Sequence, residues 1–158
     1  MSQKLPPNAV VVQSALRELG AVGEVVVLPE KAPTAATAAA QLGCEVGAIA
    51  NSLIFDADGE PLLVLTSGAH RVDTALIART AGAAKVRRAT PEFVRAATGQ
   101  PIGGVAPVGH PAPVRTLVDN WLGKHEVVWA AGGHPLTVFP TTFEELVRIT
   151  GGLAVDVE

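Results

Sequence analysis

The chain has one cysteine, four Phe and two Trp as its only aromatic side chains, and a charged fraction of 17%. Cys44 alone closes no internal disulfide, and without a second thiol a structural zinc site would rest on four scattered histidines. A reducing compartment follows, with the cytoplasm as the expected location. No apolar run approaches the roughly 18 residues of a membrane span. The start, MSQKLPPNAV, lacks the apolar stretch and cleavage signal of an exported chain. A membrane partner is therefore not expected. A net charge of -3 argues against sequence-blind wrapping of nucleic acid, and DNA is not an expected partner.

What is present is core-forming material. Hydrophobic residues make up 48% of the 158 positions, with a mean hydropathy of +0.34. A chain of this size hides roughly 70% of its unfolded surface on folding. With no internal repeat and no low-complexity linker, residues 1–158 read as one domain.

The hydrophobic period alternates between helix and strand along the whole chain. Asn8 precedes a helical pattern that stops at Gly20, VVVLP reads as a short strand, and Thr34 caps an alanine-rich helix ended by Gly43. Asp58-Gly59 joins two β-rich runs, Asn51 to Phe55 and Pro61 to Thr66, as a hairpin. Asp73 and Thr90 begin two further helices. TLVD, EVVWAA and LTVFP read as strands, followed by the helix TTFEELVRITGG and a last apolar run, LAVDV. Interleaved hairpins and helices predict an α/β fold with a mixed, curved sheet and helices outside it, rather than a doubly wound parallel sheet.

The most unusual segment is ATGQPIGGVAPVGHPAP, residues 97–113. Its prolines stiffen the backbone, and its glycines permit close approach of a ligand to main-chain amides. The same composition also describes a rigid crossover. It lacks the lysine and hydroxyl residue of a P-loop, and Gly103-Gly104 opens no helix as a dinucleotide fingerprint would. His70, His110, His125 and His134 have no metal-ligand spacing. Cys44 has no nearby base in sequence and reads as a small packed side chain, and no serine lies in G-x-S-x-G. Asp119 reads as a strand-end turn former. Lys85, Arg87 and Arg88 form a basic cluster, either a solvated face or a phosphate-contacting patch that Arg71, Arg79 and Arg95 would extend.

Taken in order, TAATAAAQLG, IANSLIF, LLVLTSG, ATGQPIGGVAPVG, AAGGHPLTVF and FEELVRITG make the chain resemble the YbaK/EbsC family, the prolyl-tRNA synthetase-associated aminoacyl-tRNA editing domain. That resemblance implies a free-standing cytoplasmic domain with a barrel-like mixed sheet ringed by helices. It implies hydrolysis, in trans, of the ester on a tRNA mischarged with alanine, serine, threonine or cysteine. Aminoacyl-tRNA is the implied partner, with a synthetase as a further one, and no cofactor, metal or protein nucleophile is implied. Carried over by position, Gly103 and Gly104 face the substrate, Pro107 and Gly109 frame the loop, and His134 stands on the pocket wall. Asn51 occupies the place of the family's usual lysine, just before the hydroxyl residue matched by Ser52. A neutral amide can hydrogen-bond the ester or the terminal adenosine, but it brings no full charge. Lys31, Arg71 and Arg115 are cations that the fold would have to bring in. The alternative reading is a noncatalytic module that binds aminoacyl-tRNA, an aminoacyl analogue or a protein partner.

Overall fold

The computed structural model describes residues 4–158. Helix α1 (Pro7–Glu18) begins behind Pro6 rather than at Asn8, because Pro7 occupies the first turn, where a missing N–H costs no helical bond. The other helices start as their side chains dictate. Thr34 opens α2 (Ala35–Leu42): its hydroxyl accepts from Thr37 N–H, and Thr37 Oγ1 accepts from Thr34 N–H. Asp73, Thr90 and Thr142 likewise accept main-chain N–H bonds at the starts of α3 (Thr74–Ala81), α4 (Pro91–Thr98) and α5 (Phe143–Thr150). No helix among the described residues is long and apolar enough to cross a membrane.

The strands are β1 (Val26–Val27), β2 (Ile49–Ala57), β3 (Glu60–Ser67), β4 (Val86–Arg88), β5 (Arg115–Asp119), β6 (Val128–Ala131), β7 (Thr137–Thr141) and β8 (Leu153–Val155). They form one mixed sheet in the order β1-β7-β6-β2-β3-β5-β8, with β4 also joined to β2. The pairs β2–β6, β3–β5 and β5–β8 are parallel and the rest antiparallel. The expected mixed α/β sheet with helices around it is what the chain forms.

Asp58 and Gly59 both have positive φ, 54° and 92°, the backbone that a two-residue hairpin turn demands. The Asp58 carboxylate also accepts from the N–H groups of Ala84 and Lys85, at 2.8 and 2.9 Å, and these bonds hold it below the usual carboxylate range. They fasten the hairpin tip to β4, a strand whose sequence reads only as a cluster of charges. Its one buried residue, Val86, is too short a signal to mark a strand.

β3 explains why the sheet is covered on both sides. Leu63 and Leu65 pack with Phe139, Val12 and Leu146 on one face, while Leu62 and Val64 pack with Ile77 and Leu117 on the other. Each buried side chain of this kind contributes about 1.5–3 kcal/mol. A third, smaller cluster joins Ala38 and Ala39 of α2 to Ile49, with Trp129 and Cys44 against it.

Candidate active site

The site begins with a break in pairing along one edge of β2. β6 registers with β2 only at Ile49 and Ala50, and β4 only at Phe55 to Ala57. Residues 51–54 between them have β3 on one side and, among the described residues, no strand on the other. Gly68 N–H donates to Ile49 O on the β3 side, and Asp58 N–H donates to Lys85 O on the β4 side. Main-chain groups alternate along an antiparallel pair, so both bonds turn the N–H and C=O of Ser52 toward the open edge.

Around this gap lies a cavity of about 670 Å³, inside the roughly 300–1,000 Å³ range of small-molecule sites. Asn51 and Leu53 line it on the side of Trp129 and α2. Ser52 and Ile54, on the opposite side of the strand, line it toward Gly103 and Val105. Ala35, Ala36 and Ala38 form the α2 wall, so small side chains there leave room for a ligand. Ser52 Oγ is buried and has no hydrogen-bond partner among the described residues. Stranding such a group costs about 1–3 kcal/mol, which a ligand atom at that position would relieve.

The glycine-proline loop is the opposite wall, and most of it is packed structure. Gln100, 3% exposed, accepts from Ala106 N–H at 2.7 Å and donates to Val108 O at 3.3 Å. His110 Nε2 lies 2.8 Å from Ala106 O. Burial pushes the His110 imidazole below its ordinary range, opposed by that carbonyl.

The named glycines divide by role. Gly103 has φ +90°, is exposed, lines the cavity and has open space where a Cβ would stand. Gly104 is buried: an added Cβ would meet the main chain of His134 and Pro135 at 2.7–2.8 Å, and its N–H donates to Pro101 O at 3.0 Å. Gly109, φ +84°, abuts Val12 of α1, and Pro107 is buried. His134 lies behind the wall. Its Nδ1 accepts from Leu136 N–H at 3.1 Å and its main chain bonds Thr137 Oγ1, while Pro135 and Thr137 face the cavity.

The structure thus brings Asn51, Ser52 and Gly103 to one cavity and sets Gly104, Pro107, Gly109 and His134 in the framework around it. Gln100, Trp129 and Arg88 went unmarked as site residues in the sequence. Gln100 lies inside the glycine-proline loop, where nothing local announces its bonds to Ala106 and Val108. Arg88 was visible only as part of a charge cluster.

The remaining groups lie elsewhere. Burial pushes the Cys44 thiol up, the reverse of an activated nucleophile. Asp119, 1% exposed, accepts from Ser67 N–H, Trp121 N–H and His70 Nδ1 at 2.8–2.9 Å, so it ends β5 as a hub between strands. Among the described residues, no group of three His, Cys, Asp or Glu side chains is placed to hold a metal ion.

A sequence model of the aminoacyl-tRNA editing domain matches residues 29–149. The chain belongs to this family. The editing domain is similar to a crystal structure of a candidate trans-editing enzyme for prolyl tRNA synthetase, with 42% identity, a TM-score of 0.92, and 98% of this chain and 99% of that one covered. It is also similar to a structure from computational epitope grafting onto scaffold proteins, at 39% identity and a TM-score of 0.90, with 98% of each chain covered. Among curated proteins it resembles proline-tRNA ligases. That of Nitratidesulfovibrio vulgaris is 34% identical over 93 residues, 59% of this chain, and that of Geobacter sp. (strain M21) is 33% identical over 94 residues, also 59%. The editing domain spans 16% of the length of each of these ligases.

Proposed function

We propose that the chain is an aminoacyl-tRNA deacylase that acts in trans on a tRNA mischarged with a small amino acid of the alanine, serine, threonine or cysteine class. The observation that carries this reading is the cavity at the β2 gap, where the main chain of Ser52 and Gly103 and the orphaned Ser52 hydroxyl face one space. The 42% identical structure described as a trans-editing enzyme supports the mode of action. A substrate made during translation places the protein in the cytoplasm, with a synthetase as a further partner.

The chemistry needs positioning more than activation, because an aminoacyl ester is already reactive. Water oxygen bonds the carbonyl carbon and the bond to the ribose oxygen breaks; one water proton ends on that oxygen, the other passes to solvent, and the amino acid departs as its carboxylate. Main-chain donors held at the developing oxyanion stabilise this passage without reorganising. Gly103 offers such a group from the loop and Ser52 from the strand. Gly104 acts through Gly103: its N–H closes the turn and its missing side chain lets the loop lie against His134 and Pro135. Pro107 and Gly109 hold the frame, and His134 backs the wall. Asn51 donates a neutral hydrogen bond. A charge-assisted contact is worth about 1.5–3 kcal/mol, so an asparagine here sets the rate roughly ten- to hundredfold below that of a lysine. Trp129 limits the acyl group by contact, while the alanines of α2 leave room for a small one. A hydrophobic pocket alone would separate neighbours by only about 1–3 kcal/mol per methylene.

Asn51 is also the observation behind the second reading, a module that binds the acylated terminus without cleaving it. Purified protein and a panel of alanyl-, seryl-, threonyl- and cysteinyl-tRNAs separate the two. Release of at least one amino acid, reduced by Ser52→Ala and raised by Asn51→Lys, supports the deacylase. Tight binding with no release from any member of the panel supports the module.

A further inference from the structure

We propose that Arg88 supplies the positive charge that Asn51 lacks, by holding the phosphate of the substrate's terminal nucleotide. The inference deepens the deacylase reading and rests on it.

Arg88 is the one cation among the described residues that line the cavity. It stands opposite Phe55 in the β2–β4 ladder, and paired residues project from the same face. Phe55, Leu53 and Asn51 share that face by alternation, so the guanidinium and the asparagine amide rise on the same side of the sheet. Its place is fixed from the other end of β4, where Asp58 binds the Ala84 and Lys85 N–H groups and Val86 is buried. Arg88 itself is exposed, and among the described residues no carboxylate lies within ion-pair distance of it.

The other cations are placed differently. Arg115 spends Nη1 on Ala81 O at 2.7 Å. Arg87 alternates to the opposite face, across from Asp56. Lys31 and Arg71 do not line the cavity.

Charge and spacing then select the ligand atom. Four residues of strand separate Asn51 from Phe55, about 13 Å at 3.3 Å per residue. An ester held at Asn51 and Gly103 is neutral, and the first full negative charge along an acylated RNA end is the phosphodiester that precedes the terminal nucleoside. A planar guanidinium fork matches that group and carries its charge at any working pH.

Wild type, Arg88→Ala, Arg88→Lys, the double variant Asn51→Lys/Arg88→Ala, and the surface control Arg17→Ala are compared in two assays across a salt series. One assay is deacylation of the four-member panel, and the other is binding of uncharged tRNA. Circular dichroism and thermal unfolding check each fold. Expected for Arg88→Ala are a KM about tenfold to hundredfold higher, kcat little changed, and a salt slope of binding smaller by about 1. Arg88→Lys recovers part of the loss, the double variant keeps the raised KM because residue 51 meets the neutral ester about 13 Å along the strand from Arg88, and Arg17→Ala behaves as wild type. An Arg88→Ala protein with wild-type KM and salt slope overturns the assignment. If wild type cleaves no member of the panel but tRNA binding still depends on Arg88, the deacylase reading fails and the phosphate contact stands. Binding that ignores Arg88, or no binding at all, refutes the contact whether or not esters are cleaved.

Discussion

The two walls of the cavity are built in opposite ways. On the loop side, Gln100, Gly104, Pro107 and His110 turn their bonds and contacts inward, and Gly103 is the exposed exception. On the strand side, β2 is fully paired with β3 but carries an open edge at residues 51–54 and a buried hydroxyl with no partner. The loop wall is a frame, and the strand wall holds polar capacity in reserve. Substitutions on the first should therefore cost stability, and substitutions on the second should cost function.

The sharpest way to break this contrast is Gln100→Ala. It strands the Ala106 N–H and the Val108 C=O in the interior, at about 1–3 kcal/mol for each group. A large drop in the urea midpoint is the expected outcome, and an unchanged midpoint would mean that the loop is not held from within. Gly104→Ala comes next. Its Cβ meets main chain at 2.7–2.8 Å, and overpacking of this kind costs about 1–3 kcal/mol. Gly103→Ala meets nothing within 4 Å and carries only the strain of φ +90°, about 1 kcal/mol. A thermal scan that ranks Gly103→Ala as more damaging than Gly104→Ala would reverse the roles given to the two glycines.

Ser52→Ala sharpens the comparison from the other wall. It removes a buried oxygen that bonds nothing, so thermal stability should stay level or rise slightly while deacylation falls about tenfold. A protein equally active without that hydroxyl would leave the oxygen with no role in catalysis.

The smallest expected effect is one of pH. The native His110 imidazole resists protonation more than the unfolded one, whose value is about 6.5. Its contribution to stability is complete above that pH and is lost as pH falls through the lower native value. Unfolding midpoints should thus decline on acidification in the wild type and decline less in His110→Gln.

How far the sequence reveals this molecule follows the range of each interaction. Thr34, Asp73, Thr90 and Thr142 cap the helices that follow them, and Asp58-Gly59 makes its turn, because these bonds close within a few residues. Asn8 misled because a proline just before it had already started the helix. β4 was hidden because three residues with one buried valine carry no period, and only pairing with distant β2 makes them a strand. The cavity has the same origin. Asn51, Ser52 and Gly103 are each singled out as candidates by the family resemblance, and all three line the cavity. The gap that gathers them depends on where β6 leaves β2 and β4 joins it. Gly104 and Gly103, adjacent and alike in sequence, part company only once His134 and Pro135 are packed against one of them.

The central claim is that the acylated terminus binds along the open edge of β2. A crystal structure of the protein with a nonhydrolysable aminoacyl-adenosine analogue tests it most directly. The expected result is an acyl carbonyl within hydrogen-bond reach of main-chain groups at Ser52 or Gly103, with its small side chain against α2. An analogue seated instead in the cleft beside Trp121 and His70, leaving residues 51–54 untouched, would contradict it.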